Sequence, residues 1–116
     1  MTVVIWHNPR CSKSRMTLQL IENKEISPKV RLYLKDAPNA AEIAGVMQLL
    51  GLDDPRDLMR KGESDYKEQG LKDVTDPQAL IDAMAATPKL IERPVVIVDG
   101  KHARIGRPPE QVLEIL

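Results

Sequence analysis

The chain has one cysteine, Cys11, among 116 residues. That scarcity excludes an internal disulfide and any Cys-x-x-Cys dithiol site. His7 and His102 are the only histidines, and with a single thiol they offer no zinc-cluster spacing, so no metal and no bound cofactor are expected. An excess of charge is also lacking: 17 basic and 17 acidic residues give a formal net charge of zero. Neither a general nucleic-acid role nor a membrane-surface role gains support from that balance. No apolar run approaches the roughly 18 residues of a membrane span, and residues 1–6 are too short for a signal-type apolar core. A reducing cytoplasm is the expected location. Repeats, low-complexity tracts and linkers are missing too, so residues 1–116 are expected to form one domain with enough chain for its own core. No exposed apolar stripe is evident in the sequence, which favours a monomer.

What is present is concentrated around the cysteine. It stands in His7-Asn8-Pro9-Arg10-Cys11-Ser12-Lys13-Ser14-Arg15, between a strand-like apolar run and a helix-like one. A sulfur at a helix N-terminus faces unpaired backbone N–H groups and the positive end of the macrodipole. With cations nearby, that setting lowers a thiol pKa. The plain alternative is an inert buried cysteine, but an apolar burial site is not normally ringed by His7, Arg10, Lys13 and Arg15. Arg10, Lys13 and Arg15 raise the local potential. His7 either helps to hold the thiolate or is a structural hydrogen-bond partner at a strand end. His102 follows a turn and reads as surface.

Residues 2–6 are β-branched and aromatic and predict a buried first strand, ended by Asn8 and Pro9. A helix follows, with Ser12 or Ser14 as its cap and Met16/Leu20 and Leu18/Ile21 on its buried face. Residues 29–34 alternate, which predicts a second strand with Val30, Leu32 and Leu34 on one side and Lys29, Arg31 and Tyr33 on the other. Strand, helix and strand in this order form a βαβ unit with parallel strands, and Cys11 falls at the carboxyl end of the first. A helical insertion over about 39–87 comes next. It opens on an Asn39/Glu42 capping box ahead of Ile43, Val46, Met47 and Leu50, and Gly51 ends its first helix. Asp54-Pro55 starts a short helix carrying Leu58, Met59 and Arg60. Residues 64–70 read as a turn or two, and Asp76-Pro77 starts a helix through Leu80, Ile81 and Met84 that stops before Pro88. Residues 95–98 and 103–105 predict an antiparallel pair joined by a type I′ turn at Asp99-Gly100. A terminal helix follows with Val112, Leu113 and Leu116 on its apolar side.

The chemistry of Cys11 can be narrowed from the residues alone. A tyrosine-phosphatase loop needs arginine six positions after the cysteine, and position 17 is threonine. A dithiol site needs a second cysteine at position 14, which is serine. What remains is a one-cysteine nucleophile whose adduct is removed by a thiol from another molecule.

The chain resembles the glutaredoxin-linked arsenate reductases of the ArsC family, and within it the short bacterial members. The resemblance rests on His7-Asn8-Pro9-x-Cys11 with Ser14-Arg15, on Leu58-Met59-Arg60-Lys61, on Glu92-Arg93-Pro94-Val95, and on Ile105-Gly106-Arg107-Pro108-Pro109-Glu110. It implies an α/β, thioredoxin-like fold with a mixed four-stranded sheet and a cis bond at Arg93-Pro94. It further implies a catalytic thiolate at Cys11, attended by His7, Ser14 and Arg15, and three arginines, Arg60, Arg93 and Arg107, that hold an oxyanion. Arsenate as substrate, glutathione as co-substrate and glutaredoxin as partner follow from the same resemblance. Guanidinium forks suit a small tetrahedral oxyanion, because they offer bidentate, charge-assisted hydrogen bonds and lower the barrier to a thiolate approaching an anion. Two other classes stay open. One is a non-catalytic regulator resembling the thioredoxin-like transcription factor Spx, although the usual Cys-x-x-Cys switch is missing. The other is a glutathione-dependent thiol oxidoreductase whose arginines meet glutathione carboxylates.

Overall fold

A computed structural model describes residues 1–116 and groups them into two compact units, one made of 1–36 with 93–116 and one of 37–92. The first unit is built on a four-stranded sheet in the order β2-β1-β3-β4. Strand β1 (Val3–Trp6) lies inside, paired in parallel with β2 (Lys29–Arg31) and antiparallel with β3 (Val95–Val98). Strand β4 (His102–Ile105) completes the sheet beside β3, antiparallel. This mixed sheet, with β-α-β first and β-β last, is the thioredoxin-like α/β architecture.

Branched residues in β1 and β3 explain why these two strands sit innermost: Val3, Ile5, Val96 and Val98 join Ile21 and Val112 in one buried cluster. The β3-β4 connection turns on Asp99 and Gly100, whose φ values of 55° and 64° are both positive, as a type I′ turn requires. Asp99 also pins this turn to the start of β1, because its carboxylate and its own N–H meet the N–H and carbonyl of Thr2, each at 2.7 Å.

Helix α1 (Ser12–Asn23) departs from the sequence expectation in two ways. Its N-cap is Cys11 itself, not Ser12 or Ser14, and no side chain caps it. Its buried face is Ser14, Thr17 and Ile21, with Leu18 partly covered, whereas Met16 is exposed. Two polar residues occupy the inward row, so apolar periodicity alone points to the wrong stripe.

Strand β2 ends at Arg31, three residues earlier than expected, because the Leu32 carbonyl turns to accept the N–H groups of Lys35 and Asp36. Its polarity is also reversed: Tyr33 is fully buried, while Val30, Leu32 and Leu34 are 43%, 37% and 43% exposed. As an edge strand it is covered on one flank only. The position opposite Trp6 goes to Arg31, whose guanidinium lies 5.8 Å from the indole centroid. Three apolar side chains in this short stretch are therefore exposed.

The terminal segment Pro109–Ile115 is a 3₁₀ helix. With three residues per turn, Pro109, Val112 and Ile115 share one face, which turns Leu113 outward instead of inward.

The second unit is helical. Helix α2 (Ala40–Leu50) has the expected capping box, with Glu42 N–H donating to the Asn39 side chain at 2.8 Å and Asn39 N–H donating to the Glu42 carboxylate at 3.1 Å. Gly51 closes it at φ 71°. A 3₁₀ turn (Pro55–Leu58), α3 (Ser64–Glu68) and α4 (Pro77–Ala86) follow. The Asp54-Pro55 helix stops before Met59 and Arg60, which were expected inside it. Met59 is extended and bridges Ile91, because Leu90 O accepts from Arg60 N–H and Leu58 O from Glu92 N–H, both at 2.7 Å.

Candidate active site

The loop between β1 and α1 is organised by short-range hydrogen bonds that leave the Cys11 sulfur at the helix start. His7 N–H donates to the Arg31 carbonyl at 2.8 Å, extending the parallel pairing by one residue. The Asn8 carbonyl accepts from Cys11 N–H and its side chain from Arg10 N–H, both at 3.0 Å. Arg15 reaches back with Nη1 2.9 Å from the Pro9 carbonyl. Asn8, which reads in the sequence as a strand-ending turn residue, thus shapes the loop with both its main chain and its side chain.

Ser14 is fully buried inside this loop. Its Oγ accepts from Asn8 N–H at 3.0 Å and lies 2.6 Å from His7 Nδ1. Burial, then the nearby Arg15 charge, push the His7 pKa below the ordinary 6.5, against a weaker opposing pull from Glu22. A neutral imidazole fits these contacts when the Ser14 hydroxyl donates a hydrogen bond to an unprotonated Nδ1 and the ring N–H is on Nε2. His7 is accordingly a buried hydrogen-bond partner of Ser14, and its surroundings favour the neutral ring.

Cys11 is a free, half-buried thiol. Burial pushes its pKa up, and this is the largest single influence. The Ser14 backbone N–H, the Arg93 charge, the Lys13 backbone N–H and the Arg107 guanidinium all pull it down, and together they prevail. The pKa lies below the ordinary thiol value. Arg107 Nη1 is 3.9 Å from the sulfur and donates to the Arg93 carbonyl at 3.1 Å, so one guanidinium links the thiol to the backbone of the other arginine. Both arginines precede prolines in cis peptide bonds: Arg93-Pro94, as the resemblance implied, and Arg107-Pro108, which was not foreseen.

Cys11, Arg93 and Arg107 therefore come together from three separated segments of the first unit. Ser14 contributes to the sulfur through its N–H, and Arg15 serves the loop through Pro9. Arg60 belongs to the second unit, where its guanidinium pairs with Glu63 at 3.3 Å. His102 is exposed at the start of β4. No three His, Cys, Asp or Glu side chains are grouped so as to hold a metal ion. Chemically, the site favours ionisation of the thiol below its ordinary pKa and presents guanidinium groups to an anion approaching it.

Comparison with known proteins converges on one family. A model of the ArsC family matches residues 6–115. An arsenate reductase of Haemophilus influenzae is 49% identical over 117 residues, covering 100% of each chain. The uncharacterized protein YfgD of Escherichia coli K12 is 52% identical over 115 residues, 98% of this chain and 96% of its own. In three dimensions, the arsenate reductase from Vibrio cholerae superposes with a TM-score of 0.96 at 55% identity, covering 100% of this chain and 98% of that one. With the family model spanning nearly every residue and full-length relatives at about half identity or better, this chain belongs to the ArsC family.

Proposed function

We propose that the protein is an arsenate reductase that uses Cys11 as its nucleophile and draws both electrons for the reduction from glutathione and glutaredoxin. The observation that carries this reading is the half-buried thiol with a lowered pKa, set at a helix start 3.9 Å from the Arg107 guanidinium. Relatives named arsenate reductase at 49% and 43% identity support the substrate.

In the proposed reaction the Cys11 thiolate attacks As(V) and water leaves, forming a sulfur–arsenic bond. The glutathione thiol then adds to the same arsenic with loss of a second water. A glutaredoxin thiolate attacks the glutathione sulfur, forming a glutaredoxin–glutathione disulfide. The electron pair of the broken sulfur–arsenic bond stays on arsenic, which becomes As(III). Hydrolysis of the Cys11–arsenic bond releases arsenite and restores the thiolate. Arg93 and Arg107 offset the charge of the oxyanion as the thiolate closes on it, and Arg60 is the third guanidinium of the oxyanion site. In this reading the two compact units act as one catalytic domain, with residues 37–92 as its helical insertion, in a cytoplasm that supplies glutathione.

The test is arsenate-dependent NADPH oxidation in the presence of glutathione, glutathione reductase and glutaredoxin. Turnover that disappears in Cys11→Ser is the expected result, and equal rates with and without Cys11 refute the reading. A glutathionylated model substrate in the same assay separates it from a general thiol oxidoreductase, which would turn over that substrate and leave arsenate untouched.

A further inference from the structure

Five of the six glycines have open space where a side chain would begin; Gly106 does not. A Cβ built there lies 2.4 Å from Thr17 Oγ1, 2.8 Å from Pro94 Cγ and 3.1 Å from Thr17 Cγ2. Its φ is not among the positive values, so the backbone conformation does not demand glycine at this position. What demands it is the approach of two other segments.

Neither neighbour can give way easily. Thr17 is fully buried and β-branched, and its hydroxyl donates to the Lys13 carbonyl at 2.8 Å. Pro94 is buried in a closed ring, and its carbonyl accepts from Gly106 N–H at 2.9 Å. Each of the three segments that meet at this point carries one member of the site. Helix α1 holds Thr17 and, at its N-cap, Cys11; Pro94 follows Arg93; Gly106 precedes Arg107.

We propose that Gly106 is a positioning residue, whose missing side chain lets the Arg93-Pro94 and Gly106-Arg107 segments close onto α1 and so sets the distance of Arg107 from the Cys11 sulfur. An added methyl must push at least one segment away by the difference between 2.4 Å and an ordinary contact. The segment nearest to it in the chain ends in Arg107. The inference rests on the proposed reductase reading for its catalytic consequence, but its first readout needs no substrate.

Gly106→Ala, followed by ultraviolet titration of the thiolate, is expected to raise the Cys11 pKa by about one unit, a roughly tenfold loss of thiolate below it. The pair Gly106→Ala/Thr17→Ala, which removes the hydroxyl and methyl that the new Cβ would meet on α1 and leaves only the 2.8 Å approach to Pro94 Cγ, is expected to fold and recover part of the native value. A folded Gly106→Ala with an unchanged thiol pKa overturns the proposal. If that variant does not fold, the pair decides: a folded pair whose thiol pKa is lowered at least part of the way to the native value supports the proposal, and a pair that stays unfolded, or folds with no such lowering, overturns it. Thermal melting alone reports loss of packing, so the thiol titration is the deciding measurement. Absence of arsenate turnover in the unaltered protein refutes the substrate while leaving the titration result standing, which keeps the two failures distinct.

Discussion

At the Cys11 sulfur, burial favours the neutral thiol, while two backbone N–H groups and two guanidinium groups favour the anion. Of the two guanidinium groups, Arg107 is the one within hydrogen-bond reach of the sulfur, at 3.9 Å. Replacing it with alanine is expected to raise the midpoint of the pH–alkylation curve measured with iodoacetamide, and an unmoved midpoint would count against its role. The same ionisation couples to folding. The native pKa is below the ordinary 9.0, so between the two values the unfolded chain holds more thiol protons than the folded one. The thiolate contribution is complete above 9.0 and is lost as pH falls through the native pKa. Urea unfolding is expected to show stability rising with pH across that window, and the rise should vanish in Cys11→Ser. His7 obeys the same sign. Its lowered pKa means that the neutral ring is the folded partner of Ser14, and proton NMR should find it titrating below 6.5.

The elements show where sequence patterns carry structural information and where they mislead. The Asn39/Glu42 capping box was legible because both hydrogen bonds lie within four residues. Asn39→Ala removes the side-chain acceptor and should cost about 1 kcal/mol by chemical denaturation. The Asp99-Gly100 turn was legible for the same local reason. The inward faces of helix α1 and strand β2 were not, because tertiary partners set them. Ser14 and Thr17 are buried to build the thiol loop and the approach to Gly106, and Arg31 and Tyr33 turn inward beside an exposed Leu32. Hydrophobic periodicity assumes that buried means apolar, and it fails where a polar residue is buried for positioning. The thiol itself was legible because the charged cluster around Cys11 is contiguous. The contact of Arg107 with Cys11 was not, since 96 residues separate the two.

At the scale of the whole molecule, net charge is zero, yet every group that lowers the Cys11 pKa belongs to the first unit and acts as a donor or a cation. Arg60 is in the second unit and is absent from that set. If the two units act as one catalytic domain, the contribution of Arg60 to oxyanion binding must be separable by mutation from thiol ionisation, because Arg60 takes no part in the latter. Arg60→Ala is then expected to leave the Cys11 titration unchanged and to raise the KM for arsenate by about tenfold, the order expected for losing one charge-assisted contact to an anion. Arg107→Ala, in contrast, should shift both the titration and KM. Glu63, which pairs with Arg60 at 3.3 Å, supplies the control. Glu63→Gln frees the guanidinium without removing it and should hold or lower KM, since the arginine no longer divides its charge between a carboxylate and the oxyanion. Steady-state kinetics alongside thiol titration of these variants decides the point. An Arg60→Ala enzyme with unaltered KM would confine the oxyanion site to Arg93 and Arg107 and remove residues 37–92 from the chemistry.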